Sequence, residues 1–208
     1  MQKQLNLFGL VGGITILLLI AVSVFVPWWQ LTIGSPVIMT ANTSPLNTNF
    51  NFLGDSFTIP LIMAFNIAAI ISLAAGGVVI LIYSINPSKS YSAKLLSFAY
   101  RKPLYSVILF VAGLFLVLTL MQSFLGLSVP IVGSTNSKLS GGIVQGVTQG
   151  LTINVLMSAE FVWPFWLAIV AAGLCIAARF YHKKIAEATL PNNKELAQNA
   201  QTARMTSA

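Results

Sequence analysis

Residues 59–84 read IPLIMAFNIAAIISLAAGGVVILIYS, twenty-six positions without a charge. A helix rises about 1.5 Å per residue, so about 20 residues cross the roughly 30 Å hydrocarbon core of a bilayer. In lipid the backbone must pair within its own segment, which makes an uninterrupted apolar run of this length a helix. Three further blocks, 5–29, 104–126 and 161–181, have the same character, and none alternates as a barrel strand does. The whole composition agrees: of 208 residues 56% are hydrophobic and only 7% charged, against about 25% charged in soluble domains. The sequence therefore predicts an all-α membrane protein, a four-transmembrane-helix bundle over 1–181 with outer loops at 30–58 and 127–160 and a partly disordered tail at 182–208.

Orientation follows from the basic residues, which stay on the cytoplasmic side of short loops. Lys3, Lys89, Lys94, Arg101, Lys102, Arg179, Lys183, Lys184, Lys194 and Arg204 fall on one side of the four blocks and only Lys138 on the other. Both termini are expected in the cytoplasm of a multi-pass cell-membrane protein. Ala21-Val22-Ser23 offers a signal-peptide cleavage site after a basic start, but the apolar run continues past it to Val26, and a signal anchor is the better reading. The net charge of +7 is accounted for by this topology, which leaves no nucleic-acid surface to explain.

Trp28 and Trp29 close the first block, and Trp163 and Trp166 open the fourth on the same side. An indole ring favours the headgroup level, so the four are expected to form an interfacial belt, with the five tyrosines near the opposite face. Small residues mark where helices approach, since close packing drives association in lipid. Gly9 and Gly13, then Ala64, Ala68, Ser72 and Gly76, then Ala168 and Ala172 recur at intervals of four and are expected to pack the bundle, although a stripe facing a partner subunit would look the same.

Chemistry is sparse. An ionisable group at mid-bilayer is a functional pointer, and the span centres carry only neutral polar groups such as Thr15, Asn66, Thr119 and Gln122. Glu160 is placed at the start of the fourth helix, where a carboxylate complements the helix dipole. The lone Cys175 and lone His182 stand seven residues apart, about 10 Å along a helix, too far to share a metal. No catalytic residue, cofactor, metal or small-molecule substrate is indicated.

The outer loops hold what remains. Gln30 to Ile33 and Asn47 to Phe52 alternate polar and apolar and predict half-buried strands. In the second loop Val129 to Val132 reads as a strand. Beyond it, Gly142, Gly146 and Gly150 beside Ile143, Val147, Leu151 and Val155 allow either a strand pair or a helix lying on the bundle, and strands are favoured because each helical glycine costs about 1 kcal/mol. Strands from both loops would then make a small extracellular β-sheet. Asn42-Thr43-Ser44 matches the glycosylation acceptor pattern. The loops carry three charges, Asp55, Lys138 and Glu160, a composition expected either of a heavily glycosylated surface or of a surface in acid below the carboxylate pKa of about 4, as in an archaeal thermoacidophile; growth of the source organism at neutral pH would contradict the acid reading. On the cytoplasmic side 84–102 reads as a basic loop touching lipid headgroups, and Leu190-Pro191 as a break after a short helix at 185–189.

Four helices, inside termini and a Trp-bearing first outer loop with strands resemble the claudin and peripheral-myelin-protein tetraspans in topology. Their Gly-Leu-Trp spacing and outer cysteine pair are not in this chain. The resemblance implies an outer sheet on a helical bundle and a function in association: with membrane lipids, with other membrane or surface proteins, or with itself as an oligomer. The alternatives are an accessory subunit of a respiratory or transport complex and a small oligomeric channel.

Overall fold

A computed structural model describes residues 5–52, 54–57, 60–87, 89, 91–125, 128–140 and 152–205. The chain is mostly helical, with one antiparallel sheet. Helix α1 covers Leu7–Ser23, four strands follow as β1 (Trp29–Ile33), β2 (Met39–Thr43), β3 (Thr48–Phe52) and β4 (Asp55–Phe57), then α2 (Pro60–Ile85), α3 (Ser92–Ala99), α4 (Arg101–Leu125), β5 (Gly133–Ser140), β6 (Thr152–Phe161) and α5 (Trp163–Met205). The segments Asn66–Ile85, Ser92–Thr119 and Trp163–Lys184 are long and apolar enough to cross a membrane; α1 is apolar but shorter.

Helix α1 starts where Asn6 caps it, its side-chain oxygen accepting from the Gly9 N–H at 3.1 Å, and stops at Ser23 rather than running on to Trp29. The β-branched Val24 and Val26 and then Pro27 disfavour helix there. Helix α4 begins earlier than the apolar block suggests because Pro103 sits in its first turn, where no N–H is needed. Segment 84–102 is not simply a loop: α3 tucks Ser92, Leu96 and Ala99 inward. Nor does Pro191 end α5, whose helix continues to Met205. An interior proline costs one ladder bond and a clash with the carbonyl four residues before it, but Ala188 and Leu190 before it and Lys194, Glu195, Leu196 and Ala197 after it favour helix.

The sheet runs β4-β3-β2-β1-β6-β5. Strand β1 is its hinge: it pairs with β2 through Leu31↔Ala41 and with β6 through Leu31↔Ala159, so the two connecting segments close into one layer. Gly34, at φ 97°, turns β1 into β2, a conformation glycine adopts without penalty. The expected strand at Val129–Val132 is irregular instead; Pro130 cannot donate to a ladder, and pairing begins at Gly133. Strands do flank the glycine-rich segment on both sides, with Val155 in β6. Gly142, Gly146, Gly150, Ile143, Val147 and Leu151 lie outside the described residues.

Two apolar clusters hold the molecule. One, at the junction of helices and sheet, gathers Trp28, Trp29, Leu31, Phe110, Leu114, Leu118 and Phe165. The other, toward the far end, gathers Ile16, Leu73, Ile80, Tyr83, Leu96, Ala171, Cys175 and Ala178.

Candidate functional site

Strand alternation gives the sheet two different faces, because successive side chains point to opposite sides. The face toward the helices carries Phe50, Ala41, Leu31 and Ala159 side by side across four strands. The other face carries Asn51, Thr40, Thr32, Ser158 and Ser134 in one row across five strands, and Asn49, Asn42, Gln30 and Glu160 in the next. At about 4.8 Å between strands the five-residue row is about 19 Å long. Ser134 and Ser158 are within 3.3 Å of one another, and Glu160 is the sole charge in the two rows. The result is a broad bed of hydroxyls and carboxamides, donors and acceptors with almost no net charge.

Asn42 stands inside this bed rather than on a loop, in β2 between Gln30 and Asn49. Its side-chain oxygen is buried and has no hydrogen-bond partner among the described residues. Ser44, the third residue of the acceptor pattern, is buried and its hydroxyl accepts from the Asn47 N–H at 2.9 Å. The loop position expected for glycosylation is therefore not the one the residue occupies. Glu160 likewise belongs to β6, opposite Gln30, and not to the helix N-terminus, which comes three residues later.

The tryptophans divide. Trp163 and Trp166 are more than half exposed, but Trp28 is 0% and Trp29 3% exposed, which corrects the expectation of a four-ring belt. The turn at Pro27 aims the first pair into the seam between sheet and bundle. There the Trp28 Nε1–H donates to Ser23 at 2.7 Å and the ring meets Phe110 and Phe165 edge-on, while the Trp29 Nε1–H donates to the Ile131 carbonyl at 2.8 Å. Their polar atoms are satisfied by protein, which leaves no reason to seek headgroups. Tyr83 is fully buried too: Asn6 donates to its hydroxyl at 2.8 Å and to the Ala178 carbonyl at 3.0 Å, tying α1, α2 and α5 together at the end opposite the sheet.

The packing stripes also divide. A side chain at Gly9 would strike Ser84, and one at Gly13 would come within 2.6 Å of Leu81, so both glycines seal α1 against α2. Gly12, which the interval-of-four pattern passes over, does the same against Cys175 of α5. Ala168 and Ala172 are buried, whereas Ala64 and Ala68 are exposed, Ser72 is half-buried and Gly76 abuts Lys102. The expected stripe on α2 thus packs only at its Gly76 end. Cys175 is buried against α1, and His182 meets the Tyr83 ring edge-on at 5.4 Å.

Where α2 and α4 part, a cavity of about 810 Å³ opens beneath the sheet. Trp29, Leu31, Ala41 and Phe50 roof it, Phe110, Leu114 and Leu118 form its back, Asn66, Ala69 and Leu73 of α2 form one wall, and Lys102 stands at its foot. The side-chain amide of Asn66 reaches the Pro45 carbonyl and the Thr48 N–H at 3.2 and 3.1 Å, which pins α2 to β3. Along α4 the lining residues Lys102, Ser106, Leu109, Gly113 and Val117 step by threes and fours, the spacing of one helical face. Nothing in the sequence singles out this face, because Lys, Ser, Leu, Gly and Val share no character, or shows that the opposing helix leans away. No protein-family model matches the sequence, and no curated protein is similar to it.

Proposed function

We propose that the chain is a non-catalytic four-helix membrane protein, its sheet outside the cell and both termini inside, that works by protein–protein association through the polar face of the sheet. The observation that carries this is the two-faced sheet: its apolar side packs on the bundle, and its other side presents ordered rows of Thr, Ser, Asn and Gln, among which Asn49, Ser134, Ser158 and Glu160 are exposed. Such a face offers hydrogen bonds in register to a partner, and a non-obligate interface is on the whole no more apolar than the rest of a protein surface.

Several features support the membrane placement. Helix α1, about 26 Å long at 1.5 Å per residue, lies along α2 and α5 and ends with them at the sheet. Arg101, Lys102, Arg179, Lys183 and Lys184 gather at the other end, as the positive-inside rule requires. The exposed Ala64 and Ala68 favour a second reading, an accessory subunit whose larger partner packs laterally against α2.

Gentle-detergent purification followed by light scattering and mass spectrometry of the intact assembly tests both. On the first reading Thr32→Arg with Thr40→Arg dissociates the complex while the monomer stays folded; on the second Ala64→Leu with Ala68→Leu does so. A monomer with no partner, unchanged by either pair, would refute the association function.

A further inference from the structure

The end of the molecule opposite the sheet holds an unusual juxtaposition of cations. The Tyr100 hydroxyl accepts from the Arg101 Nε at 3.3 Å and also from the Arg179 guanidinium, which lies 4.5 Å over the Tyr100 ring. One oxygen thereby gathers two positive groups from α4 and α5. Lys102 follows directly in sequence, its Nζ 4.8 Å from the Phe98 ring. Among the described side chains the carboxylates are elsewhere: Asp55 and Glu160 are in the sheet. Like charges held together in this way repel, and an anion between them relieves the cost.

The stem of Lys102 is at the same time the foot of the 810 Å³ cavity. One turn deeper, Ser106 lines that cavity with a buried hydroxyl that has no hydrogen-bond partner among the described residues. From Lys102 to Leu118 the lined face of α4 is about 24 Å long, and its flank is open: Tyr105, Leu109 and Val117 are each at least half exposed. The arrangement therefore runs from cations, to an unpaired hydroxyl, to an elongated apolar trough, the polarity order of a membrane lipid from headgroup through glycerol linkage to chain. A volume of this size is within the range of about 300–1,000 Å³ that holds a small-molecule ligand.

We propose that the α2–α4 trough is a binding site for an anionic membrane lipid of the inner leaflet. The headgroup phosphate sits against Arg101, Lys102 and Arg179, Ser106 donates to the linkage oxygen, and one hydrocarbon chain fills the cavity up to the underside of the sheet. Basic pockets between helices at the cytoplasmic surface select such headgroups. The site rests on the membrane placement of the helices and not on the association function.

Native mass spectrometry of the full chain in detergent, titrated with phosphatidylglycerol and separately with phosphatidylcholine, tests it. The wild type retains phosphatidylglycerol in preference, one molecule per chain. Arg101→Gln with Arg179→Gln weakens that lipid about 30-fold, at about fivefold per basic residue, and leaves phosphatidylcholine unchanged. Gly113→Phe, placed where an added side chain meets open space, fills the trough and abolishes retention of both lipids while the protein still melts as a folded species. Equal binding of the two lipids by the wild type would overturn the proposal, as would an unaltered preference in the double variant, release of the bound lipid by inorganic phosphate alone, or a protein subunit found in its place that Gly113→Phe displaces.

Discussion

The seam between α1 and α2 and the gap between α2 and α4 are built on the same helix and behave in opposite ways. On the first side Gly9, Gly13 and Gly77 remove side chains where the backbones approach, and Asn6 locks the end with hydrogen bonds to two neighbours. On the second side Gly76 lets α2 touch α4 at Lys102, after which the helices diverge and Ala64 and Ala68 face outward. Small residues permit close approach but do not compel it. What closes the first seam is glycine matched by a partner side chain on the facing helix; what opens the second is a sheet that holds α2 through Asn66 and α4 through Trp28 and Phe110 at separate points.

The two sides are expected to answer very differently to added volume. Gly13→Leu drives a branched side chain into Leu81 and Ile80, and we expect a loss of about 3 kcal/mol, at the upper end for overpacking, read as a fall in thermal unfolding temperature in detergent. Asn6→Ala leaves the Tyr83 hydroxyl and the Ala178 carbonyl without their donor and is expected to cost about 2 kcal/mol; chemical denaturation of the same preparation measures it, and an unchanged midpoint would show that the lock is not what closes this end. Gly113→Ala on the open side meets no atom within 4 Å. It is expected to stabilise by up to about 1 kcal/mol through helix propensity alone, so destabilisation there would mean that the gap is narrower than described.

The sequence was most informative where a single segment decides its own structure. The long apolar runs are helical, three of them long and apolar enough to cross a membrane and α1 shorter, and Gln30 to Ile33 and most of Asn47 to Phe52 are strands, as their polar–apolar alternation predicts. Strand β2 was harder to see, since its inward set of Met39, Ala41 and Thr43 carries little apolar contrast. Trp28 and Trp29 were misplaced because a belt argument considers the residue and its depth, whereas the turn at Pro27 sends the rings into protein. The polar face was legible only in part: β1 and β3 show their outward residues by alternation, but the rows exist only once register is fixed. The trough was not legible at all, because it is the space left by helices whose spacing is decided at the sheet. The Tyr100–Arg179 contact joins residues 79 apart and left no local trace.

Strand β1 has a consequence for how the chain is made. Its two ladder partners are β2, immediately downstream, and β6, where Gln30 meets Glu160, a partner translated 130 residues later. At roughly 5–20 residues per second the ribosome needs roughly 6–26 s to supply it. In the proposed topology a half-built protein thus waits on the far side of the membrane with one bare strand edge and an unfinished aromatic seam. Only when β6 has followed is the sheet continuous from β4 to β5, and the first helix is then tied to the last through the sheet as well as through Gly12 and Asn6.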